Sequence, residues 1–196
     1  MMNFLGLDLS LTATGFYLIK DGGKDEYFEI NTKPEDFDND IERADYIASK
    51  IVDSIKNENI TFIAMEDYFT GKQPQSVIKL ATLGTVVRMR LLDAGYSYMT
   101  FAVSQIKKFE TGKGVAPKDN MLKSVYKRHN LDTASNNIAD ACAIAHVGRA
   151  YYEWQAGRRD FLKYETEVLK KVEEDREQVK PYKIDLDSKK VTTKKK

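Results

Sequence analysis

The fold is decided by the stretch FLGLDLSLTATGFYLIKDGGKDEYFEI, residues 4–30. Residues 4–9 and 15–19 are apolar runs of the length and composition typical of strands. The turn signal DGG at 21–23 leads into a third run at 26–30. The stretch therefore predicts a three-stranded antiparallel meander.

Helical and strand patterns alternate in the next part of the chain. Apolar residues recur at helical spacing over 36–56 and 77–91, and short apolar runs that predict strands occupy 61–65 and 98–103. Later segments comprise a Gly-containing loop over 110–116, a helix from Pro117 to about residue 129, and a helix capped by Ser135. The order βββαβαβ followed by helices predicts an α/β fold, a mixed sheet with helices packed on its faces.

Length and composition favour one globular domain. The 196 residues are 42% hydrophobic and 31% charged, and no window holds the roughly 18 consecutive apolar residues of a membrane helix. Because Cys142 has no partner in the chain and no signal peptide is recognisable, we expect a cytoplasmic protein. We predict a domain over 1–157, a charged helix or arm over 158–182 and a Lys-rich, disordered tail over 183–196.

Charge is distributed unevenly, although the net charge is only +1. Residues 103–130 contain seven Lys and Arg against two acidic residues, and the tail adds a second basic segment. A basic segment on an acidic background favours a polyanionic partner. A solvated, lysine-rich helix face would give the same pattern.

Oxygen-bearing side chains converge at the predicted strand ends. Asp8 interrupts the first apolar strand, and a buried carboxylate is costly unless it is paired or bound to a cation. Glu66 ends the strand at 61–65, and Asn137 and Asp140 share one face at the start of a helix. In isolation the last two could simply suit a helix N-terminus, but together with the strand carboxylates they predict one site.

Such an oxygen-only set suits Mg²⁺ or Mn²⁺, and the sequence suggests no Cys/His cluster for zinc. Two such ions about 4 Å apart would activate a water and stabilise the leaving oxygen of a phosphodiester. The residues therefore predict nuclease chemistry.

The chain resembles the RuvC-type Holliday junction resolvases, members of the ribonuclease H-like superfamily, as a phage or bacterial representative. The resemblance is carried by four blocks: GLDLSLTATGF (6–16), MEDYF (65–69), TGKGVAPKDNM (111–121) and NIADACAIAH (137–146). It implies a ribonuclease H-like sheet and a homodimer in the bacterial or phage-infected host cytoplasm. It further implies two divalent metal ions and paired nicks across a four-way DNA junction.

Site residues are carried over from the resemblance one by one. Asp8 looks like the first-strand aspartate, Glu66 like the glutamate that ends the later strand, and Asp140 like the last carboxylate of a D-x-x-D helix. Asn137 stands where that motif usually begins with Asp, so metal binding should be weaker or more dependent on a DNA phosphate, although an amide oxygen can still ligate a hard cation. Asp132 is a conceivable substitute.

DNA contacts are expected in two segments. The family has a lysine close to the reacting phosphate at the position of Lys118 and a DNA-binding lysine at that of Lys107; Lys113 and Lys108 lie nearby and could contact phosphates. The resemblance also implies that Phe69 wedges between bases at the junction, with Tyr68 a weaker candidate. Either aromatic could instead be an ordinary core residue.

Three functions are weighed. The first is a metal-dependent, structure-selective endonuclease, and the second is a catalytically weak or inactive junction-binding protein, motivated by the missing fourth carboxylate. The third, an ATPase of the actin or sugar-kinase type, would need a second domain for which the chain has little room. The helix at 77–92 is a candidate dimer interface, with core packing as the alternative.

Overall fold

The fold is taken from a computed structural model that describes residues 1–67 and 74–175. The strands are β1 (Asn3–Asp8), β2 (Ala13–Lys20), β3 (Glu26–Asn31), β4 (Ile60–Glu66) and β5 (Met99–Phe101). The helices are α1 (Asp40–Ile55), α2 (Pro74–Asp93), α3 (Val103–Thr111), α4 (Lys118–His129), α5 (Asn136–Gln155) and α6 (Lys163–Asp175), with a 3-10 turn over Pro34–Asp36. None of these helices is both long and apolar enough to cross a membrane.

The five strands form one sheet in the order β3-β2-β1-β4-β5. β1, β2 and β3 pair antiparallel in sequence, which confirms the predicted meander. β4 lies parallel to β1 on its other side, and β5 lies parallel to β4. Since parallel neighbours end at the same edge, the last residues of β1 and β4, Asp8 and Glu66, come out side by side.

Alternation along β1 separates the two faces of the sheet. Leu5 and Leu7 enter a core shared with α1 and α2, whereas Phe4 enters the core formed with α5. The α5 core includes Phe62 and Ala64 of β4, so Glu66, two residues further on, is directed to the same face. Asp8 shares that face with Gly6.

Helix α5 lies unusually close to the sheet at two glycines. A Cβ atom at Gly6 would lie 2.1 Å from the carbonyl oxygen of Ala141, and one at Gly15 would lie 2.2 Å from that of Asn137. Such distances exclude any larger residue unless the helix moves away. Because Gly15 pairs with Asp8 in the β1–β2 register, this contact brings the start of α5 next to Asp8.

Side-chain caps set the starts of α1 and α5. The Ser135 hydroxyl accepts a hydrogen bond from the backbone N–H of Ile138, which confirms the predicted cap of α5. α1 begins at Asp40 rather than at residue 36, because the Asn39 side chain accepts from the N–H groups of Ile41 and Glu42. α4 begins at Lys118, one residue after Pro117.

α3 was not predicted. The first two residues of the expected loop at 110–116 belong to this helix, which ends where Gly112 adopts a left-handed conformation with φ of 78°. Its start is held by Gln105, whose side-chain oxygen accepts from the backbone N–H of Ala102 at 2.9 Å. Ile106 and Phe109 are buried against α5 and its neighbours. Nine residues, about two and a half turns, are too few for a helical period to stand out.

α6 packs on the domain rather than lying free in solvent. Its apolar residues Val168, Leu169 and Val172 are buried against α3 and α5. The helix extends to Asp175 with its apolar side in the core. Most of its charged positions face outward, but Glu165 is buried and pairs with Arg128. The Lys-rich tail lies outside the described residues.

A candidate three-carboxylate site at the sheet edge

Three carboxylates gather where β1, β4 and α5 meet. Asp8 and Glu66 come from the adjacent ends of the two parallel strands, and Asp140 comes from the first turns of α5, which faces them. Each of the three is only partly accessible to solvent. The structure therefore brings together the three acidic residues that the sequence singled out.

Electrostatics confirm that these groups share one environment. Desolvation by burial and the charges of Asp140 and Glu66 raise the pKa of Asp8 to about 8. Desolvation and the charge of Asp140 raise the pKa of Glu66 to about 7. The pKa of Asp140 is also raised, chiefly by desolvation. Buried carboxylates that lie this close together are costly to ionise unless a cation compensates their charge, so the site favours a bound cation.

Two lysines act on this cluster from outside. The Lys118 ammonium lowers the pKa of both Asp8 and Asp140, and that of Lys107 lowers the pKa of Glu66 and Asp140. Lys107 projects from α3, whereas Lys118 is the exposed first residue of α4. Neither pairs directly with a carboxylate among the ion pairs of the described residues, so both ammonium groups can reach an anionic ligand.

Asn137 lies one helical turn before Asp140, and its backbone rests on Gly15 beside Asp8. Its side-chain Nδ2 donates a hydrogen bond to Oε1 of Glu29 at 3.0 Å. An ionised carboxylate accepts hydrogen bonds only, so the amide nitrogen has to face Glu29. The amide oxygen of Asn137 is consequently turned away from Glu29 and remains available as a neutral ligand.

Glu29 is a site residue that the sequence did not reveal. It pairs with Gly15 across β2 and β3, while Gly15 pairs with Asp8, so Asp8 and Glu29 lie in one row with a glycine between them. The Ser135 hydroxyl also donates to Oε1 of Glu29. The signal was the strand register set by the turn at 21–23, which aligns Glu29 with Gly15.

Other predicted contacts lie away from the carboxylates. The Lys108 ammonium pairs with Glu167 of α6 at 2.8 Å, which holds it on that helix. Lys113 is exposed in the segment after α3, and Asp132 is exposed before α5 and does not influence the pKa of the three carboxylates. Phe69 and Tyr68 lie outside the described residues.

One side of α2 packs in the hydrophobic core. Leu83, Val87 and Leu91 are buried with α1, which supports the packing alternative for this stripe. Ile78 and Met89 remain exposed on the same helix, at 65% and 59%. The helix therefore retains an apolar surface that packing among residues 1–67 and 74–175 does not cover.

One expectation was wrong: the chain does contain a Cys/His cluster. His129 at the end of α4 meets Cys142 and His146 of α5, and their potential ligand atoms lie within 4.8 Å of one another. Cys142 and His146 are four residues apart on α5, and the packing of α4 on α5 brings His129 to them. His146 is packed against α4, stacked on the ring of His129.

The donor set at the sheet edge fits a hard divalent cation. It offers three carboxylates and one amide oxygen and no sulfur or imidazole, which is the ligand chemistry that Mg²⁺ and Mn²⁺ prefer. The pKa values of Asp8 and Glu66 are raised although Lys118 and Lys107 lower them, so these ammonium groups do not fully compensate the cost of burying the carboxylates.

Comparison with known proteins identifies relatives of this chain. The family described as crossover junction endodeoxyribonuclease RuvC matches residues 4–147. A crossover junction endodeoxyribonuclease RuvC of Salinibacter ruber is 30% identical over 149 residues, which cover 74% of this chain and 83% of the relative. One from Brachyspira hyodysenteriae is 29% identical and is covered over 93% of its length.

Solved structures show the same fold. The chain superimposes on T. thermophilus RuvC in complex with a Holliday junction substrate with a TM-score of 0.67 and 22% sequence identity. The match covers 80% of this chain and 97% of that one. The mixed sheet with flanking helices is therefore the ribonuclease H-like fold of those proteins.

The carboxylate cluster should cost stability when no cation is bound. The pKa of Asp8 is about 8 in the folded protein against 3.8 in the unfolded chain, so ionisation opposes folding as the pH rises between these values. We expect Asp8→Asn to raise the free energy of unfolding at about pH 9 by about 1–3 kcal/mol, with little effect at about pH 4. Urea unfolding in the presence of a chelator measures this.

The matched control is Asp132→Asn, which removes an exposed carboxylate outside the cluster. Its effect should be small at both pH values. Equal effects of the two substitutions at high pH would contradict the mutual repulsion deduced for Asp8.

Proposed function

The chain belongs to the RuvC family of crossover junction endodeoxyribonucleases, and from that membership we propose that it is a structure-selective endodeoxyribonuclease that resolves four-way or branched DNA. The observation that carries the proposal is the convergence of Asp8, Glu66 and Asp140 next to two lysines at one edge of the sheet. In a site of this kind the carboxylates can bind cations and the lysine ammonium groups can bind a phosphate. The reaction is hydrolysis, in which water attacks phosphorus and a phosphodiester bond breaks.

The cofactor in this proposal is a pair of Mg²⁺ ions, for which Mn²⁺ can substitute. Asp8, Glu66 and Asp140 would hold them through carboxylate oxygens, and Asn137 through its amide oxygen. When bound, such ions lower the pKa of an attacking water and stabilise the leaving oxygen. A bound cation would also offset the burial and the mutual repulsion that raise the pKa of Asp8 and Glu66.

Lysines bind and polarise the scissile phosphate. Lys118 opens α4, where the unpaired backbone N–H groups of the first turn add to its charge, and Lys107 approaches from α3. Both already act electrostatically on the carboxylates, so a phosphate bound there would lie between the lysines and the acidic groups. Their charge stabilises the additional negative charge of the transition state.

Glu29 is a positioning residue in this scheme. By accepting from the amide nitrogen of Asn137, it fixes which side of the amide presents oxygen. Asn137 thereby supplies a neutral ligand where the family usually has Asp. The activity then depends on three carboxylates and one oriented amide.

A homodimer is the proposed working unit. Coordinated nicks on two opposing strands need two equivalent active sites, which a two-fold dimer provides. The exposed Ile78 and Met89 of α2 support this helix as the contact surface. Phe69 remains the candidate for the residue that opens the junction.

We expect the wild-type protein with Mg²⁺ or Mn²⁺ to nick a synthetic four-way junction, and a linear duplex of the same sequence far more slowly. Asp8→Asn should lower the rate by about a thousandfold while the junction is still bound, because the substitution removes a ligand charge. A denaturing gel measures nicking, and a mobility shift measures binding.

One result would contradict catalysis. Tight junction binding that yields no product and is indifferent to Asp8→Asn would establish a non-catalytic junction-binding protein instead.

The role of Lys118 at the phosphate can be tested against Lys108 as a matched control. Lys118→Ala should lower the nicking rate by about a hundredfold, because it removes a positive charge at the reacting phosphate. Lys108→Ala should leave the rate nearly unchanged, because that ammonium is engaged with Glu167. Single-turnover nicking with saturating enzyme measures both, and equal losses would contradict the placement of Lys118 at the phosphate.

The role of Glu29 is tested by placing a carboxylate at position 137 and then removing the one at position 29. Asn137→Asp alone should lower stability by about 1–3 kcal/mol, because it sets a carboxylate against Glu29 at hydrogen-bond distance. Adding Glu29→Gln should restore stability and reduce the Mg²⁺ concentration needed for half-maximal nicking, since a fourth carboxylate then reaches the ion. Calorimetry and nicking assays across a Mg²⁺ series measure these two effects.

Glu29→Gln alone is the control for loss of the negative charge at that position. If Asn137→Asp is as stable as the wild type, the hydrogen bond between Glu29 and Asn137 does not orient the amide.

A further inference from the structure

A second group of ligand-type side chains lies away from the carboxylates. Cys142 and His146 are four residues apart on α5 and so share one face of the helix, and His129 reaches them from the end of α4. One potential ligand atom from each lies within 4.8 Å of the other two. Cys142 follows Asp140 by two residues, or about 200° around the helix, so this face points away from the acidic site.

His129 is oriented by a buried carboxylate. Its Nε2 lies 2.9 Å from Oε2 of Glu110, a residue of α3 that is only 1% exposed. The other oxygen of Glu110 accepts from the Ser124 hydroxyl at 2.8 Å, so the carboxylate is fixed in place. A carboxylate that holds one imidazole nitrogen leaves the second one as a metal ligand, and this arrangement recurs at protein metal sites.

His146 has an unsatisfied polar atom. Its Nε2 is buried and makes no hydrogen bond within the described part of the chain. A buried imidazole nitrogen without a partner destabilises the folded state, and a bound cation would remove that cost. Burial, together with the charges of His129, Arg149 and Arg128, holds the pKa of His146 well below its ordinary value, so the ring is neutral and its lone pair is free.

Stacking alone does not account for this cluster. The two imidazole rings are parallel, with centroids 3.5 Å apart and planes 11° apart, which explains their packing but not the orphan nitrogen of His146. Parallel rings direct their lone pairs in parallel, so one ring has to tilt to share an ion. A cavity of about 230 Å³, lined by both histidines, Arg128 and Arg149, borders the rings and gives room for this movement.

We propose that His129, Cys142 and His146 form a binding site for a zinc-class transition-metal ion, with Glu110 as the positioning residue of His129. Two imidazoles and one thiolate are the donors that Zn²⁺ prefers over Mg²⁺. The fourth position is left to a water from the adjoining cavity. Binding displaces the thiol proton of Cys142 to solvent, and the ion joins the end of α4 to the middle of α5.

Cobalt spectroscopy tests this site on the full-length, untagged chain. With Mg²⁺ in excess to occupy the carboxylates, one equivalent of Co²⁺ should produce a sulfur-to-cobalt charge-transfer band and the visible bands of a tetrahedral ion. Because the chain has one cysteine, the charge-transfer band reports Cys142 alone. Zn²⁺ should abolish the band by displacement and raise the melting temperature.

The variants separate the two metal sites. Cys142→Ser should abolish the charge-transfer band, Glu110→Gln should weaken Co²⁺ binding about tenfold, and Asp8→Asn should leave both unchanged. Circular dichroism establishes that each variant is folded. A wild-type protein without the band, or a band that persists unchanged in both His129→Gln and His146→Gln, would overturn the proposal.

Discussion

The close contact between α5 and the glycines of β1 and β2 is the constraint on which the acidic site depends. At Gly6 and Gly15 the helix backbone occupies the space that a side chain would need. Only this approach lets a carboxylate on the second turn of a helix reach the carboxylates at two strand ends. The alanines of α5 serve the same purpose from the helix side, since Ala141 and Ala145 are the residues that touch Gly6.

This geometry is electrostatically unfavourable as long as no cation is bound. Asp8 and Glu66 are desolvated and repel Asp140, so their pKa values rise toward neutrality. Hydrophobic burial on both faces of the sheet supplies the opposing free energy, and residues such as Leu7 and Met65 beside the two carboxylates are fully buried. The strand ends are therefore held rigidly while their charged groups remain unneutralised, which suits a preorganised metal site.

Much of this could be predicted from sequence because the signals were local. Apolar runs and a turn signal located the meander and β4, and the Ser135 cap located the start of α5. Asp8 and Glu66 were recognisable because each is a carboxylate at the end of an apolar run. The parallel pairing of their strands then followed from the helical connection between them.

The missed features depend on tertiary packing. Glu29 lies in an ordinary strand, and its importance comes from a register that aligns it with Gly15 and from the helix that covers both. α3 is short, and its burial by α5 and α6 compensates for a weak helical pattern. The cluster of His129, Cys142 and His146 is likewise invisible in sequence, since α4 and α5 are joined by a turn whose geometry no local pattern specifies.

The exchange of Asp for Asn at position 137 is best understood together with Glu29. The row that contains Asp8 also contains the Glu29 carboxylate, separated from it by a glycine, so a further carboxylate on α5 would have faced a like charge at about 3 Å. An amide avoids that repulsion, satisfies Glu29 with its nitrogen and still offers an oxygen. The site thus keeps four acidic residues in its surroundings, three that can bind a cation directly and one that orients a neutral ligand.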